Sequence, residues 1–502
     1  MIKLIRFVAL FSFVLLFSTI ASAQSSTSSV TGTVTDAGGA LIPGVAVTLT
    51  DTKTSKQVGT TTDDQGVYRF TQVSPGQGYK LKFSSAGFQT VEIKDVSLGV
   101  GITETHNAEV PAGQVNETVT ITASGEATLN TTDASIGNVI DERRLRELPI
   151  QVRNSPAALI GLQPGVVGSN VGTTSSNRVG AVTGARADQG NITVDGIDAN
   201  DQATGQFAAT TGNSPVDSIK EFRAITTNPT AADGRSGGGQ ITLITKSGTN
   251  DFHGNLREYN RTAATAANSF FNNRSGVARP QLTRNQFGGS IVGPIKREKL
   301  FFFFDYEGRR EARGISYLRL VPLNNFREGN LGYINNAGGI SFLTAAQAAA
   351  LDPQGIGPNQ AFLSFLNSRY PQANDLTAGD GINTGGFRFN APSKRTENTE
   401  TARIDWHPTD KQKIFGKFSI ARGTNTDTVN TVAVQFPDDP ESGQIVQQDY
   451  TWVVGHNWVI SPNIVNQATV GVARSGLLFP RPFDFRTVTL HQPHWVRSLV
   501  FK

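Results

Sequence analysis

Between Thr401 and His407 the apolar side chains Ala402, Ile404 and Trp406 alternate with the polar Thr401, Arg403, Asp405 and His407. Successive side chains of a β-strand point to opposite faces, so this stretch predicts a strand with one apolar and one charged face. The pattern recurs. After a turn over Pro408 to Gln412, the residues Ile414, Gly416, Phe418 and Ile420 stand opposite Lys413, Lys417 and Ser419. Further on, Trp452, Val454, Trp458 and Ile460 share a face, and Ala468, Val470 and Val472 continue the alternation. In hydrocarbon such strands satisfy their backbone groups only inside a closed cylinder, lipid side out and lumen side in. Residues 251–502 are therefore expected to form an antiparallel transmembrane β-barrel.

The chain is built for export. Lys3 and Arg6 precede an apolar run from Phe7 to Ile20 and the small triplet Ala21-Ser22-Ala23, which predicts a secretory signal peptide cleaved after Ala23. Its apolar core is shorter than the roughly 20 residues of a spanning helix, and no later run approaches that length. There is no cysteine, so neither disulfides nor a lipidated N-terminal cysteine can form. A formal charge of +4 over 502 residues gives no electrostatic case for nucleic acid. The 52 glycines, 30 phenylalanines, single methionine and 17% charged residues suit a mainly β envelope protein.

From Ser29 to about Val110, short β-branched or aromatic runs alternate with turn residues at Gly38-Gly39, Pro43-Gly44, Asp63 to Gly66, Pro75-Gly76 and Gly87. This spacing predicts a small antiparallel sandwich, with Tyr68, Phe70, Tyr79 and Phe83 in its core. The pattern Gly32-x-Val34-x-Asp36, Pro43-Gly44-Val45-x-Val47, Gly66-x-Tyr68-x-Phe70 and Tyr79-x-Leu81-x-Phe83 with Gly87-Phe88 resembles the carboxypeptidase regulatory-like domain. That resemblance implies a transthyretin-like, carbohydrate-binding-like β-sandwich over residues 24–110, without peptidase chemistry.

A polar connector over residues 111–125 contains Glu117-Thr118-Val119-Thr120-Ile121-Thr122-Ala123, which is similar to a TonB box. In the outer-membrane receptors that carry one, the resemblance implies an extended, loosely held segment that pairs by β-augmentation with a periplasmic energy transducer. Residues 126–250 follow. Asp141-Glu142 opens a short helix that Pro149 ends, Ala157 to Leu162 precedes a turn at Gln163-Pro164-Gly165-Val166, and a strand through Ile192 and Val194 ends in an Asp195-Gly196 turn. A β segment from Phe222 to Thr226, a turn of Gly234, Arg235, Ser236, Gly237, Gly238 and Gly239, and a strand from Ile241 to Lys246 complete the stretch. This order resembles the small α+β plug domain of TonB-dependent receptors. Asn228-Pro229 stands where many of them carry Arg-Gly-Pro, and with Lys246 to Asn250, Phe252-His253-Gly254 and Leu300 to Gly308 this resembles the Oar-like branch.

The resemblance implies a barrel of about 22 strands, whereas Asp251 to Lys502 holds about 8 to 11 at roughly 25 residues per strand and loop. The barrel is thus expected to be incomplete, from an interrupted gene or a fragment. Asn324 to Pro392 reads as a large extracellular loop with a helix at Ala345 to Leu351.

Catalytic and metal chemistry find no support. The six histidines are scattered without a His-x-x-x-His pair, and Gly234-Arg235-Ser236-Gly237-Gly238 matches a nucleophile elbow without its preceding buried strand. Asp195, Asp198 and Asp201 depart from calcium-loop spacing and read as a solvated turn. Arg235 and Lys246 fit ion pairs with a barrel wall and equally fit surface solvation. No cofactor is expected. The resemblance implies a TonB-dependent outer-membrane receptor for uptake of a ligand such as an oligosaccharide, peptide or metal chelate. Its partners would be a TonB-type transducer at Glu117 to Ala123, outer-membrane lipid and an extracellular ligand, with Gln206 to Gly212 as an apical plug loop. A non-transporting surface protein of adhesion or export is the rival.

Overall fold

The structure, a computed structural model, describes residues 27–113, 118–122, 134–148, 153, 156–167, 181–186, 189–200, 214–230, 237–426, 435–439, 443–461, 464–480 and 500–501. The signal sequence, Glu117, Ala123, Asp201, Gln206 to Gly212, Gly234 and Arg235 lie outside the described residues.

Among the described residues, nine strands build the N-terminal sandwich: β1 (Ser28–Thr35), β2 (Ala46–Asp51), β3 (Lys56–Thr61), β4 (Val67–Val73), β5 (Gly76–Ser84), β6 (Thr90–Leu98), β7 (Thr103–Thr105), β8 (Ala108–Glu109) and β9 (Thr118–Thr122). One sheet runs β4-β1-β7 with β8 also on β1, and the other runs β3-β2-β5-β6-β9. Alternate residues of β1, β2, β4 and β5 meet between them. Val30, Val34, Val47, Leu49, Leu81, Val91 and Ile93 are buried there with the four expected aromatics. Tyr68 and Phe83 pack edge to face at 5.4 Å. The Tyr68 and Tyr79 hydroxyls donate to the carbonyls of His106 and Ser74, each at 2.7 Å, so neither polar tip is stranded. The Asp63 carboxylate accepts from Gln65 N and Val67 N at 2.9 Å, and Gly66 turns the chain at a φ of 66°. There a Cβ would stand 3.0 Å from the Val34 carbonyl, so both conformation and space demand glycine.

The central α+β domain contains β10 (Ile136–Asp141), α1 (Glu142–Glu147), a 3₁₀ helix at Pro156–Leu162, β11 (Val166–Val167), β12 (Ala181–Val182), β13 (Asn191–Val194), β14 (Ile197–Asp198), a second 3₁₀ turn at Val216–Ser218, β15 (Ile219–Thr227) and β16 (Gln240–Thr245). Its sheet order is β10-β15-β16-β13-β14. Asp141 caps α1 by accepting from Arg144 N at 2.8 Å. Asp195 and Gly196 take φ values of 49° and 84°, the positive pair that a two-residue hairpin turn needs. Ile140, Leu145, Leu159, Ile160, Ile192, Val194, Phe222 and Leu243 form a separate apolar core.

The third unit is an eight-stranded sheet: β17 (His253–Thr262), β18 (Leu282–Lys296), β19 (Leu300–Pro322), β22 (Thr384–Thr409), β23 (Gln412–Thr426), β24 (Gln444–Ser461), β25 (Ile464–Leu478) and β26 (Val500–Phe501), each paired with the next. The small hairpin β20 (Leu331–Ile334) and β21 (Ile340–Leu343) lies in the connection between β19 and β22. All neighbours are antiparallel. Ile404, Trp406, Phe418, Trp452, Val454, Trp458 and Ile460 are exposed on one face, as the alternation requires. Asp305, Thr401, Asp405, Lys417, Ser419 and Thr451 are buried on the other.

The expected loop from Asn324 to Pro392 is corrected at its end. The strand resumes at Thr384 and pairs with β19 as far as Pro322↔Thr384. β19 and β22 thus run 23 and 26 residues, well beyond the about 9 to 11 that span hydrocarbon. The glycines and asparagines there mask a pairing set by the partner strand rather than by local propensity. The helix at Ala345–Leu351 forms as expected, with a capping box between Thr344 and Gln347.

Candidate functional site

Where the central domain faces the eight-stranded wall, two clusters of charged side chains bridge them. Asp195, at the β13–β14 turn, lies 3.1 Å from Lys417 Nζ on β23 and 3.2 Å from Arg403 Nη1 on β22. Its Oδ1 also accepts from Thr245 N and Oγ1 at 3.0 Å. Burial alone would push this carboxyl up, but Lys417, Arg403 and the Thr245 amide hold it below its ordinary value. Lys417 also donates to Ser214 Oγ at 3.3 Å, and Arg403 also pairs with Asp405 at 2.8 Å and lies 4.3 Å from the Phe415 ring centre. The solvated turn expected for Asp195 is therefore corrected. The local sequence shows an Asp-Gly turn, and only the facing wall supplies the cations that make it a buried ion cluster.

A second cluster sits beside it. Asp217 pairs with Arg153 at 3.2 Å within the central domain and with Arg257 of β17 at 3.5 Å across to the wall. Arg257 in turn holds Asp305 at 2.7 Å and Glu307 at 3.5 Å on β19, while Ser218 Oγ donates to Asp305 at 2.7 Å. Farther along the same wall face, Arg284 meets Glu311 at 2.6 Å and Arg309 meets Glu397 at 3.4 Å. Arg313 reaches Glu311 at 3.3 Å, and Arg395 pairs with Glu397. The contact is close as well as polar: a Cβ on Gly471 of β25 would stand 2.8 Å from Ile197 Cγ2 of β14.

The sandwich seats on both other units. Val100 N, just past the end of β6, donates to the Glu221 carboxylate of β15, and Arg223 donates to the Gly101 carbonyl at 3.0 Å. Burial pushes the Glu221 carboxyl up to about 7 against the lowering pull of the Val100 amide. Lys413 of β23 donates to Ser74 Oγ at 3.0 Å, and Asn250 N donates to the Lys53 carbonyl at 3.0 Å. A cavity of about 80 Å³ remains where the three units meet, lined by Asp51, Ser74, Lys220, Arg403, His407 and Lys413 among others.

The residues singled out in sequence fare unequally. Thr118, Val119, Thr120, Ile121 and Thr122 are not a free connector. They pair in parallel with β6, from Thr90↔Thr118 to Lys94↔Thr122. In the glycine turn, Gly238 approaches so closely that a Cβ would stand 2.5 Å from the Gln189 carbonyl, and on Gly239 it would stand 2.7 Å from Val182 Cγ1. Lys246 does not reach the wall; it pairs with Glu142 of α1 at 3.1 Å. Local sequence does not mark Arg257, Asp305, Arg403 and Lys417 for this role. Their one sequence mark is a charge on the polar face of an alternating strand, which does not reveal its partner.

The chain matches the family described as Outer membrane beta barrel domain over residues 244–493 and the Carboxypeptidase regulatory-like domain over residues 29–111. The TonB-dependent transporter Oar of Myxococcus xanthus is 28% identical over 302 residues, which cover 58% of this chain and 27% of the relative. The siderophore receptor PirA from Acinetobacter baumannii aligns at 14% identity and a TM-score of 0.39 over 68% of this chain and 40% of its own. The outer membrane transporter YddB from Escherichia coli aligns at 14% and 0.41 over 67% and 38%. The chain thus spans little more than a quarter of its curated relative, 27%. A carboxypeptidase regulatory-like domain ahead of an outer-membrane β-barrel domain, together with the similarity to the Oar transporter, fits an Oar-like TonB-dependent receptor.

Proposed function

We propose that this chain supplies the sandwich, the plug and part of the wall of a receptor that takes up an extracellular ligand by energy coupling. An oligosaccharide, a peptide and a metal chelate all suit this role. The signal sequence ending at Ala23 sends the chain out of the cytoplasm, and a TonB-type transducer in the periplasm acts on Glu117 to Ala123. The observation that carries the reading is the polar seam between plug and wall, where Asp195 meets Lys417 and Arg403 and Arg257 meets Asp217, Asp305 and Glu307. Such a seam fixes the plug at rest. When the plug moves, water and other lumen charges can take over its contacts, so displacement costs less than exposing an apolar interface of the same size.

Deleting residues 117–122 in the receptor expressed in its outer membrane tests this. Ligand binding at the surface should persist while energy-dependent uptake is lost. Uptake unchanged by the deletion would overturn the reading. Adhesion that persists, with no uptake in either form, would support a surface protein of the non-transporting kind.

A further inference from the structure

The cavity where the three units meet is lined by charges that do not cancel in place. The sandwich contributes Asp51 and Ser74, the plug Lys220 of β15, and the wall Arg403, His407 and Lys413. Its carboxylates are already engaged. Asp195 and Asp405 both pair with Arg403, and Asp195 holds Lys417 as well. Asp51 accepts from Lys53 N at 3.0 Å and from Thr54 Oγ1 at 2.9 Å within its own turn. Lys220 and Lys413 line the same space, and no carboxylate forms an ion pair with either among the described residues.

These amines are crowded against one edge of the sandwich. Lys413 Nζ donates to Ser74 Oγ at 3.0 Å, and a Cβ on Gly76 would stand 2.7 Å from Lys220 Nζ. Asp51 is the one carboxylate that acts on Lys56, Lys220 and Lys413 together. Burial holds the Lys220 amine below its ordinary value against the pull of Asp51. Burial and Lys413 bring the Lys56 amine down to about 7, against Asp410 and Asp51. Positive charge is thus in excess here. His407 Nδ1 and Asn457 Oδ1, both of lining residues, are buried without a hydrogen-bond partner. Orphaned polar atoms of this kind mark a place where a polar ligand or water completes the bonding.

We propose that this cavity binds a small oxyanion of the phosphate class, held between Lys220 of the plug and Lys413 of the wall and against the sandwich at Ser74. Lysine binds such an ion as a point charge and needs no fork geometry, and His407 offers one further donor at Nδ1. A space of about 80 Å³ bounded by three units suits the free ion rather than a phosphate carried on a lipid. A metal cation does not suit it, because the carboxylates are engaged. The ion ties sandwich, plug and wall together, so its binding strengthens their seating by linkage. This inference goes beyond the uptake reading and does not depend on it.

The receptor, purified whole in detergent, is titrated with inorganic phosphate near pH 8, well above a second pKa of about 6 to 7, against chloride at matched ionic strength. Calorimetry reads the binding, and the urea midpoint reads the linkage. Phosphate should bind at one site per chain and raise the midpoint, and chloride should do neither. Lys220→Gln and Lys413→Gln should each weaken phosphate at least about tenfold. Each should fold without phosphate at least as stably as the parent, since it removes a buried amine that no carboxylate pairs with. Lys82→Gln, at an exposed position of the same sandwich, should bind as the parent does. No binding up to about 10 mM phosphate, or equal affinity in the parent and both variants, an adventitious ion only, would overturn the inference. Glycerol 3-phosphate binding as tightly as phosphate would overturn the assignment to the free ion. Should one variant fail to fold, the other makes the comparison, and the uptake reading stands or falls separately on the deletion of residues 117–122.

Discussion

Removing the negative charge of Asp195 should loosen the plug more than any other single change at the seam. The Lys417 side chain is 0% exposed, and its nearest carboxylate is Asp195 at 3.1 Å. In Asp195→Asn, Lys417 loses its carboxylate and is left with neutral acceptors such as the Ser214 hydroxyl at 3.3 Å, whereas Arg403 retains Asp405 at 2.8 Å. A buried cation left without its partner costs about 3–5 kcal/mol. Lys417→Met should cost less, roughly 1–3 kcal/mol, because Asp195 keeps Arg403 and two bonds from Thr245. In the double variant neither group is stranded, so the pair should recover at least about 2 kcal/mol of the summed cost. The absent cysteines provide the assay. Ile197→Cys places a buried thiol where the central domain meets β25, and its labelling across a urea series reports the parting of that domain from the wall. With a slope of about 1–3 kcal/mol per molar urea, Asp195→Asn should lower the labelling midpoint by roughly 1–5 M. An unchanged midpoint, or costs that add in the double variant, would refute the idea that this cluster holds the plug.

Two further outcomes follow. Glu221 has a folded pKa of about 7, above its ordinary value of 4.5, so the native state binds its proton more tightly than the unfolded chain. Burial of this carboxyl should therefore leave the folded state most stable below about pH 4.5 and weaken it as pH rises through 7, by up to about 3 kcal/mol. Glu221→Gln should flatten this dependence in urea titrations from pH 4.5 to 8, and an equal slope in both proteins would refute it. On the opposite face of the wall, Val454→Arg should cost about 2–4 kcal/mol if its position lies near the bilayer centre, measured by unfolding from lipid vesicles. No loss of stability there would mean that this face does not meet hydrocarbon.

Regular alternation made the wall legible. A period of two in Thr401 to His407 names both faces of β22 without any knowledge of its neighbours, and the turn residues mark the sandwich strands equally well. The Asp195-Gly196 turn was legible for the same local reason. The length of β22 was not, because Gly385 and Gly386 argue locally for a loop while the facing residues Val321 and Leu320 of β19 hold them in register. The ion clusters were hidden for a related reason. Asp195 and Arg403 stand 208 positions apart, and nothing in either neighbourhood announces the other. The parallel pairing of Thr118–Thr122 with β6 shows the same limit, since a run of β-branched residues predicts a strand but not the edge it joins.

The way the apolar surfaces are divided gives these charges their meaning. Among the described residues, the apolar core of the central domain, from Ile140 to Leu243, contains no residue of the wall strands, and the core of the sandwich is equally self-contained. Each unit therefore keeps its hydrophobic stabilisation when it shifts against another, and a displacement is opposed mainly by the polar bonds at the seams. Breaking an apolar interface exposes surface at about 25 cal/mol per Å² with nothing to compensate it. Parting Asp195 from Lys417 returns both groups to water, which recovers much of the desolvation they gave up. A pull on β9 should thus separate plug from wall before it unfolds the plug. Labelling under load would tell the orders apart: a thiol at Ile197→Cys, packed against Gly471 of β25, should become reactive while the Ile192 and Phe222 amides stay protected.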